Sequence, residues 1–278
     1  MESEQERGRR HRQRAVFDDI AAGYDASRLG YPEEIAAFVL LTAGIGPGSD
    51  VLEVGCGTGQ LTRELAGREF RITAIDIGPS MIAAARRRLS GAGITFVVTS
   101  FEDLTAADAS FDLVISGAAY HWVDPEVRFA KAARLLRPGG WLALLGYDER
   151  YDEPLGSALT GMWAARSDPA APWTGPRTGP GTDTGTGQGT GPPEPDDAGA
   201  IDASGLFCPP VTKTASHRLM LPPASVLGIE GTRSTLLSWP PEAREQFLAE
   251  LRAQIGDLAE VPLTRVSWVT MAQPKARI

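Results

Sequence analysis

Short apolar runs alternate with amphipathic segments through the first half of the chain. Met81–Leu89 illustrates the amphipathic kind, since its apolar residues recur at helical spacing on one face. The apolar runs predict strands over Asp50–Val54, Arg71–Ile75, Ile94–Thr99, Phe111–Ser116 and Trp141–Tyr147. Near-continuous apolar strands that alternate with helices are typical of a parallel sheet covered on both faces. The pattern therefore predicts an α/β fold with a doubly wound, mostly parallel sheet.

The remaining segments of this half are predicted to be helical. Pro32 stands at the start of one of them and is followed by Glu33 and Glu34, as proline and acidic residues favour a helix N-terminus. The Pro138-Gly139-Gly140 run ends another. The predicted helices are Phe17–Asp25, Pro32–Thr42, Gln60–Ala66, Met81–Leu89 and Pro125–Leu136.

The second half opens on a compositional break. Thr174–Pro193 is almost wholly Gly, Thr and Pro, and it has no large apolar residue that could offset the entropy of ordering it. A helix over Pro240–Ile255 and a strand over Leu263–Ala272 follow, and we expect them to complete the sheet. The predicted division is a disordered basic tail at 1–16, a core with an N-terminal cap at 17–150, a substrate lid at 151–173, a disordered linker at 174–200 and a C-terminal part at 201–278 that completes lid and sheet.

Charge and composition narrow the classes of partner. The 278-residue chain has a formal net charge of −8, and its basic cluster, Arg7–Arg14, lies in the tail. Duplex binding needs a concentrated basic surface, so no nucleic-acid partner is expected. Apolar runs fall short of the ~20 residues that cross a bilayer, and the charged N-terminus is unlike a secretory signal. We expect a cytoplasmic protein, monomeric or homodimeric, without a membrane partner.

A glycine-rich turn follows the first strand. It reads Glu53-Val54-Gly55-Cys56-Gly57-Thr58-Gly59-Gln60, a G-x-G-x-G pattern, whereas the dinucleotide fingerprint is G-x-G-x-x-G. Asp76 ends the second strand, 17 residues beyond Gly59, where a carboxylate can accept both hydroxyls of an adenosine ribose. Either feature alone also suits a plain turn or an exposed strand-end aspartate. Together they predict a nucleoside-bearing ligand.

These residues, with three further segments, resemble the class I (Rossmann-like) S-adenosylmethionine-dependent methyltransferases, in the small-molecule branch called type 11. The segments that carry the resemblance are VLEVGCGTGQ (51–60), ITAIDIGPSMI (72–82), TSFEDL (99–104), FDLVISGAAYHWVD (111–124) and LLRPGGWLALL (135–145). It covers residues 17–147 closely and the tail loosely. It implies a seven-stranded sheet with an N-terminal helical cap, a lid inserted after strand five, and S-adenosyl-L-methionine as cofactor without a metal.

The resemblance also implies roles for individual residues. Gly55, Gly57 and the backbone near Gly59 would cradle the methionine moiety, and Glu53 would orient its amino group. The family usually has an acidic residue after the third strand, against the adenine amino group, where this chain has Ser100; Glu102 is the alternative contact. The cofactor-binding residues so implied are Tyr24 and Arg28 of the cap, over the methionine carboxylate; Glu53, Gly55, Cys56, Gly57 and Gly59; Asp76 for the ribose; Ile77 and Met81 on the adenine; and Ser100, Phe101 and Glu102.

The residues expected to face the methyl acceptor are less specific for one substrate class. His121, between Tyr120 and Trp122 just beyond the fourth strand, is a candidate general base, and a packed pocket wall is the interpretation we favour. The N/D-P-P-Y/F pattern of enzymes that methylate adenine or glutamine amino groups is absent after that strand, as is the Pro-Cys pair of cytosine C5 enzymes. We expect methyl transfer to an oxygen, carbon or carboxylate of a small molecule in secondary metabolism. The alternatives are a non-catalytic S-adenosylmethionine or S-adenosylhomocysteine binder and, disfavoured by Gln60 and by the lack of a Tyr-x-x-x-Lys motif, a nicotinamide oxidoreductase.

Overall fold

A computed structural model describes residues 28–91, 93–166 and 196–276 of the chain. The predicted tail, the predicted helix at Phe17–Asp25 and the Gly/Thr/Pro run at Thr174–Pro193 lie outside the described residues. Tyr24, one of the two implied cap residues, lies outside them as well.

Seven strands form one sheet in the order β3-β2-β1-β4-β5-β7-β6. Their bounds are β1 Asp50–Val54, β2 Arg71–Asp76, β3 Thr95–Val98, β4 Phe111–Gly117, β5 Leu136–Tyr151, β6 Val211–Leu221 and β7 Val261–Ala272. β1 pairs in parallel with both β2 and β4, β2 with β3, and β4 with β5. The strand order thus reverses between β1 and β4, which confirms the doubly wound fold and places its ligand crevice at their carboxyl ends.

Nine α-helices connect and flank the described strands: α1 Glu33–Ala43, α2 Gln60–Leu65, α3 Pro79–Arg88, α4 Arg128–Leu135, α5 Leu155–Ala164, α6 Asp196–Ser204, α7 Pro223–Gly231, α8 Ser234–Leu237 and α9 Pro241–Ile255. A short 3-10 helix, Tyr120–Trp122, follows β4. The helix predicted from Pro32 begins at Glu33, because Pro32 has an extended ψ of 142° and serves as the N-cap. The helix predicted from Pro125 begins at Arg128, three residues later.

β5 is longer than predicted at both ends. It begins at Leu136 instead of Trp141 because Leu136 already pairs with Phe111, while Trp141 pairs with Leu113. Residues 137–140 therefore bulge opposite Asp112, and Gly139 takes a φ of +82° within the bulge. A proline-glycine run that ends a helix can thus also sit inside a strand.

Several described elements were not predicted from the sequence, among them β6 and the helices α5 to α8. β6 lies at the edge of the sheet, and its first four residues are exposed; buried or half-buried positions alternate with exposed ones only from Ala215 to Leu221. α6 begins at Asp196, and the linker predicted to extend to residue 200 is wrong over its last five positions, 196–200. Ile201 provides the physical reason, since its fully buried side chain joins the core of the sheet and anchors the helix.

The chain divides into two compact units. Of the described residues, the first unit holds those from 28 to 146, together with 196–215 and 267–276. Its core lies between one face of the sheet, with Leu52, Val114 and Leu142, and side chains of α4 and α6. At the amino ends of the strands Asp50 is paired with Arg71 and Arg137, both at 2.7 Å.

The second unit holds the described residues 147–166 and 216–266. Phe247 of α9 is buried there, with the rings of Trp163 and Trp239 at 4.5 and 5.7 Å. Glu230, also fully buried, is held bidentately by Arg233 at 2.7 and 2.8 Å. The lid predicted at 151–173 falls in this unit over its described residues, 151–166, where it forms α5; α7 and α8 belong to the same unit. Within the described ranges, none of the helices combines the length and apolar character needed to cross a membrane.

Candidate functional site

The glycine turn after β1 has the backbone geometry that its sequence implies. Gly55, Gly57 and Gly59 have φ values of +70°, +55° and +89°, which residues other than glycine rarely adopt. The amides of Gly55 and Cys56 both donate to the carbonyl oxygen of Ile75, at 2.9 and 3.0 Å. These bonds tie the turn to the end of β2, and Gly59 then caps α2.

The three glycines differ in what surrounds them. A Cβ on Gly55 would lie 2.4 Å from the Cβ of Ala119, in the turn that follows β4. A Cβ on Gly59 would lie 3.1 Å from Leu89 Cδ1. At Gly57 the nearest atom would be Gln60 Oε1, at 3.8 Å. Gly55 and Gly59 are therefore needed for packing, whereas Gly57 presents bare backbone that a ligand can approach.

Asp76 lies at the end of β2 and is fixed by two backbone amides. One carboxylate oxygen accepts from the Gly57 amide at 2.9 Å, and the other accepts from the Gly78 amide at 2.8 Å. A carboxylate oxygen can accept more than one hydrogen bond, so a bond to a backbone amide does not by itself prevent a bond from a ligand hydroxyl. The structure therefore links the two features that the sequence singled out, the glycine turn and the strand-end aspartate.

Glu53 lies beneath the turn and is only 1% exposed. Burial, and secondarily the negative charge of Asp76, raises the pKa of Glu53 to about 8, although hydrogen bonding to Thr62 opposes the shift. Its Oε2 has no hydrogen-bond partner among the described residues. A buried carboxyl in such a place favours its neutral form until a cation approaches. Cys56 is buried beside it, and burial also raises the pKa of its thiol, so the thiol is unreactive.

The segment after β3 contains the implied adenine contacts. Ser100 Oγ donates to Asp103 Oδ2 at 2.6 Å and accepts from the Asp103 amide at 3.0 Å. Since the hydroxyl's proton is committed to Asp103, Ser100 can offer a ligand only a lone pair. Glu102 Oε1 accepts from the Asp124 amide at 2.9 Å. The Phe101 side chain is buried in the core, 6.0 Å from the Tyr120 ring.

The remaining residues implied in cofactor binding differ in their burial. Ile77, directly after β2, is partly exposed, whereas the Met81 side chain in α3 is buried in the core. Arg28 is partly buried in the segment that leads to α1. Among the described residues no group of three His, Cys, Asp or Glu side chains could hold a metal ion.

The 3-10 helix after β4 carries His121. Its ring is partly buried and lies 4.8 Å from the ring of Trp122. Tyr120 belongs to the core instead, because its buried hydroxyl donates to the Arg128 carbonyl at 2.7 Å and its ring packs 6.0 Å from Phe129. Of these three aromatic residues, His121 and Trp122 thus remain candidates to face an acceptor.

Sequence reasoning missed the turn between β4 and this helix. Ala118 has a φ of +52°, a strained conformation for a residue with a side chain, and its amide donates to Leu145 at 2.8 Å. Gly117, at the end of β4, leaves room for Tyr31. A glycine at a strand end signals such a close approach, but it does not identify the approaching residue.

A cavity of about 390 Å³ lies elsewhere in the first unit, between the segment leading into α4 and α6. Phe129, Ala203 and Leu206 are among its lining residues. None of the residues implied in cofactor binding lines this cavity.

Comparison with known proteins supports the interpretation of the glycine turn. Residues 52–144 match the family model described as "Methyltransferase domain". These residues include the glycine turn, Asp76 and the turn after β4. Over these residues the chain therefore carries a methyltransferase domain.

Curated relatives of this methyltransferase domain differ in their acceptors. The malonyl-[acyl-carrier protein] O-methyltransferase of Hahella chejuensis is 39% identical over 129 residues, 45% of this chain and 46% of the relative. The ubiquinone/menaquinone biosynthesis C-methyltransferase UbiE of Hydrogenovibrio crunogenus is 32% identical over 148 residues, 49% of this chain and 58% of the relative. The chain thus spans about half the length of the curated relatives it matches.

Solved structures extend the fold similarity over more of the chain. A candidate type II methyltransferase from Anaeromyxobacter dehalogenans superposes with a TM-score of 0.60 at 23% identity, over 88% of this chain and 97% of the other. Phosphoethanolamine N-methyltransferase 2 of Haemonchus contortus, in complex with S-adenosyl-L-methionine, gives a TM-score of 0.50 at 15% identity, over 93% of this chain and 57% of the other. At these identities the similarity establishes the fold alone.

Proposed function

We propose that this protein transfers the methyl group of S-adenosylmethionine to an oxygen, carbon or carboxylate of a small molecule. The observation that carries the proposal is the hydrogen bond between the Gly57 amide and Asp76. It joins a glycine turn with open backbone to a carboxylate whose orientation is already fixed. A dinucleotide site needs a different glycine spacing, and a purely structural turn needs no such carboxylate.

The residues present fit the donor. Asp76 accepts hydrogen bonds from the two ribose hydroxyls. Glu53 would pair with the positively charged amino group, whose charge lowers the pKa of Glu53, so that its carboxyl releases a proton to solvent. Arg28 matches the methionine carboxylate, since guanidinium groups pair with carboxylates bidentately. Ser100 supplies a lone pair for the adenine amino group. The support for these roles is the burial, the charge and the committed hydrogen bonds described above.

Catalysis then depends mainly on alignment. When bound, S-adenosylmethionine supplies a methyl group activated by a positively charged sulfur. The glycine turn and Asp76 hold the donor at the crevice, and the residues after β4 hold the acceptor in line with it. Alignment of this kind can supply roughly 7–11 kcal/mol of the barrier. His121 takes a proton only if the acceptor is a hydroxyl, an amine or a carbon acid.

The nature of the acceptor is supported from two sides. The relatives named above are, by their names, an O-methyltransferase of malonyl-[acyl-carrier protein] and a C-methyltransferase of ubiquinone/menaquinone biosynthesis, which supports oxygen and carbon as the acceptor atoms. The net charge of −8 disfavours a nucleic-acid acceptor. We propose that the segment predicted as a lid at 151–173, whose described part forms α5, takes part in selecting the acceptor.

Binding measurements test the donor assignment first. Isothermal titration calorimetry should show binding of S-adenosylhomocysteine, with no comparable binding of NAD⁺. Binding of NAD⁺ instead would overturn the proposal in favour of an oxidoreductase.

An activity assay then separates an enzyme from a binder. Purified protein, S-adenosylmethionine and a panel of small carboxylic acids, acyl thioesters and phenols should yield S-adenosylhomocysteine that depends on one acceptor. Tight binding of S-adenosylhomocysteine without turnover on this panel or on a metabolite extract would identify a non-catalytic binder.

A further inference from the structure

The turn after β3 accepts two hydrogen bonds from a lysine of α4. Lys131 Nζ donates to the carbonyl oxygens of Glu102 and Leu104, at 2.8 and 2.7 Å. It also lies 5.5 Å from the centroid of the Phe101 ring, which is buried in the core. Hydrogen bonds from an ammonium group to a carbonyl oxygen are charge-assisted and stronger than those between neutral groups. Lys131 therefore fixes the backbone on both sides of Asp103.

This turn lies beside the proposed ribose site. Asp76 pairs with Val98, the last residue of β3, and its carbonyl accepts from the Thr99 amide at 2.9 Å. The chain thus leaves the sheet about 4.8 Å, one strand spacing, from Asp76. With the methionine part of the donor at the glycine turn, on the β1 side of Asp76, the base extends to the other side. It therefore meets the turn that begins at Ser100.

The sheet itself gives this turn little support. β3 has four residues and is the outermost strand on its side of the sheet. Within the turn, the Leu104 amide donates to the Ser100 carbonyl at 3.0 Å. Further support comes from the segment after β4, where Lys131 acts together with the Asp124 amide, which donates to Glu102 Oε1 at 2.9 Å. The conformation of the turn thus depends on contacts with a distant part of the chain.

The Ser100 hydroxyl is the group of the turn that can recognise a base. Its proton is committed to Asp103, and one of its two lone pairs accepts from the Asp103 amide, so the second lone pair suits an amino group. We propose, on the basis of the proposed function, that Lys131 is a positioning residue for the adenine base. By holding two carbonyl groups, it keeps the turn in the conformation that presents Ser100 to the 6-amino group. Lys131 acts through the turn and need not touch the donor.

Two ligands that differ only at the 6-position and the adjacent ring nitrogen of the base test this role without an acceptor. S-adenosylhomocysteine carries a 6-amino group, whereas S-inosylhomocysteine carries a carbonyl oxygen there, which repels the lone pair of Ser100. The wild-type protein should therefore bind S-adenosylhomocysteine about 10-fold more tightly. Lys131→Met keeps the apolar stem but loses the ammonium group. Its affinity for S-adenosylhomocysteine should fall about 5-fold or more, and that for S-inosylhomocysteine less than about 2-fold.

Three variants control the measurement by calorimetry. Lys275→Met removes another ammonium group that donates to a backbone carbonyl, that of Gly205 at 2.8 Å, and should leave both affinities unchanged. Lys131→Arg retains the charge and the N–H donors and should keep most of the preference for adenine. Ser100→Ala should itself reduce that preference. Its combination with Lys131→Met should cause no further loss of preference, because both changes act on one contact.

Each outcome bears on the inference separately from the proposed function. Equal losses for both ligands in Lys131→Met would make Lys131 a residue that only stabilises the fold and would overturn the inference, as would unchanged affinity for both. A wild-type protein that binds the two ligands equally would also overturn it, while the proposed function would stand. If the wild-type protein binds neither ligand, the proposed function itself fails, and the inference fails with it.

Discussion

Asp76 holds the Gly57 amide at 2.9 Å with one carboxylate oxygen and the Gly78 amide at 2.8 Å with the other. A single side chain thus orders the glycine turn and the entrance of α3 before any ligand arrives. A charged acceptor that is already fixed loses little freedom when it binds a ribose. This preorganisation distinguishes the site from a strand-end aspartate that merely points into water.

Asp76→Ala should therefore affect both binding and stability. Hydrogen bonds to a charged group contribute about 1.5–3 kcal/mol each, so affinity for S-adenosylhomocysteine should fall at least ~10-fold. The two amides also lose their acceptor, and the melting temperature should fall. Asp76→Asn should destabilise less because it retains one acceptor oxygen. Asp108→Ala, at a 52% exposed aspartate, is the control and should change neither quantity. Calorimetry that gives wild-type affinity for Asp76→Ala would remove Asp76 from the site.

Gly55→Ala should be more harmful than its backbone conformation alone suggests. Gly67 has a similar positive φ, +76° against +70°, but no atom lies within 4 Å of the position of its Cβ. Gly67→Ala should therefore lose only the left-handed strain, roughly 1–2 kcal/mol. Gly55→Ala adds the collision with Ala119, another 1–3 kcal/mol or so, and should also lose S-adenosylhomocysteine binding. Urea denaturation measures the difference, and equal losses would show that the turn at Ala119 yields without cost.

Local chemistry explains why much of this site could be predicted from sequence. The positive φ values at Gly55, Gly57 and Gly59 require glycine, and the apolar strand β2 ends at a charged residue, Asp76. The turn and the strand end can therefore each be recognised from the local sequence. The central strands were equally predictable from the sequence, because burial on both faces of the sheet makes them continuously apolar. Their bounds differ from the prediction by one or two residues at most for β1 to β4.

The remaining features depend on contacts between distant segments. Tyr31 and Ala119 matter because of what they approach, Gly117 and Gly55, and neither pair shares a sequence pattern. β6 is an edge strand whose polar residues fall in runs, 212–214 and 216–218, and these runs mask the alternation of burial between Ala215 and Leu221. The start of α6 could not be predicted from the sequence, because the Gly/Thr/Pro segment ends just before it. The burial of Ile201 explains why a helix forms there.

The buried carboxyl of Glu53 should influence how stability depends on pH. Its pKa is about 8 in the folded protein, above the ordinary 4.5. The unfolded chain therefore loses this proton first, and the group lowers stability progressively as pH rises from about 4.5 to about 8, with no further change above. In Glu53→Gln this decline is absent. Urea denaturation without ligand gives the free energy of unfolding at pH 5 and at pH 8. Between these two pH values it should fall further in the wild type than in Glu53→Gln, and the two falls should differ by more than about 1 kcal/mol. Parallel pH profiles for the two proteins would show that Glu53 is ionised in the fold.

His121 decides whether the reaction uses a general base. Its ring is partly buried beside Trp122, at 4.8 Å, and its neighbour Tyr120 is fixed in the core, so the local structure resembles a packed wall. We expect His121→Asn to retain turnover within about 10-fold, with S-adenosylhomocysteine affinity unchanged and a flat rate above about pH 6. This result suits a carboxylate acceptor, which is ionised already and has no proton to give up. His217→Asn, in β6, is the matched control. A base would behave differently, because its removal costs about 10²–10⁴ in rate and the wild-type rate then rises through a group that titrates near neutrality. A loss of turnover above ~100-fold with intact cofactor affinity would therefore contradict a packing role for His121 and assign proton transfer to it.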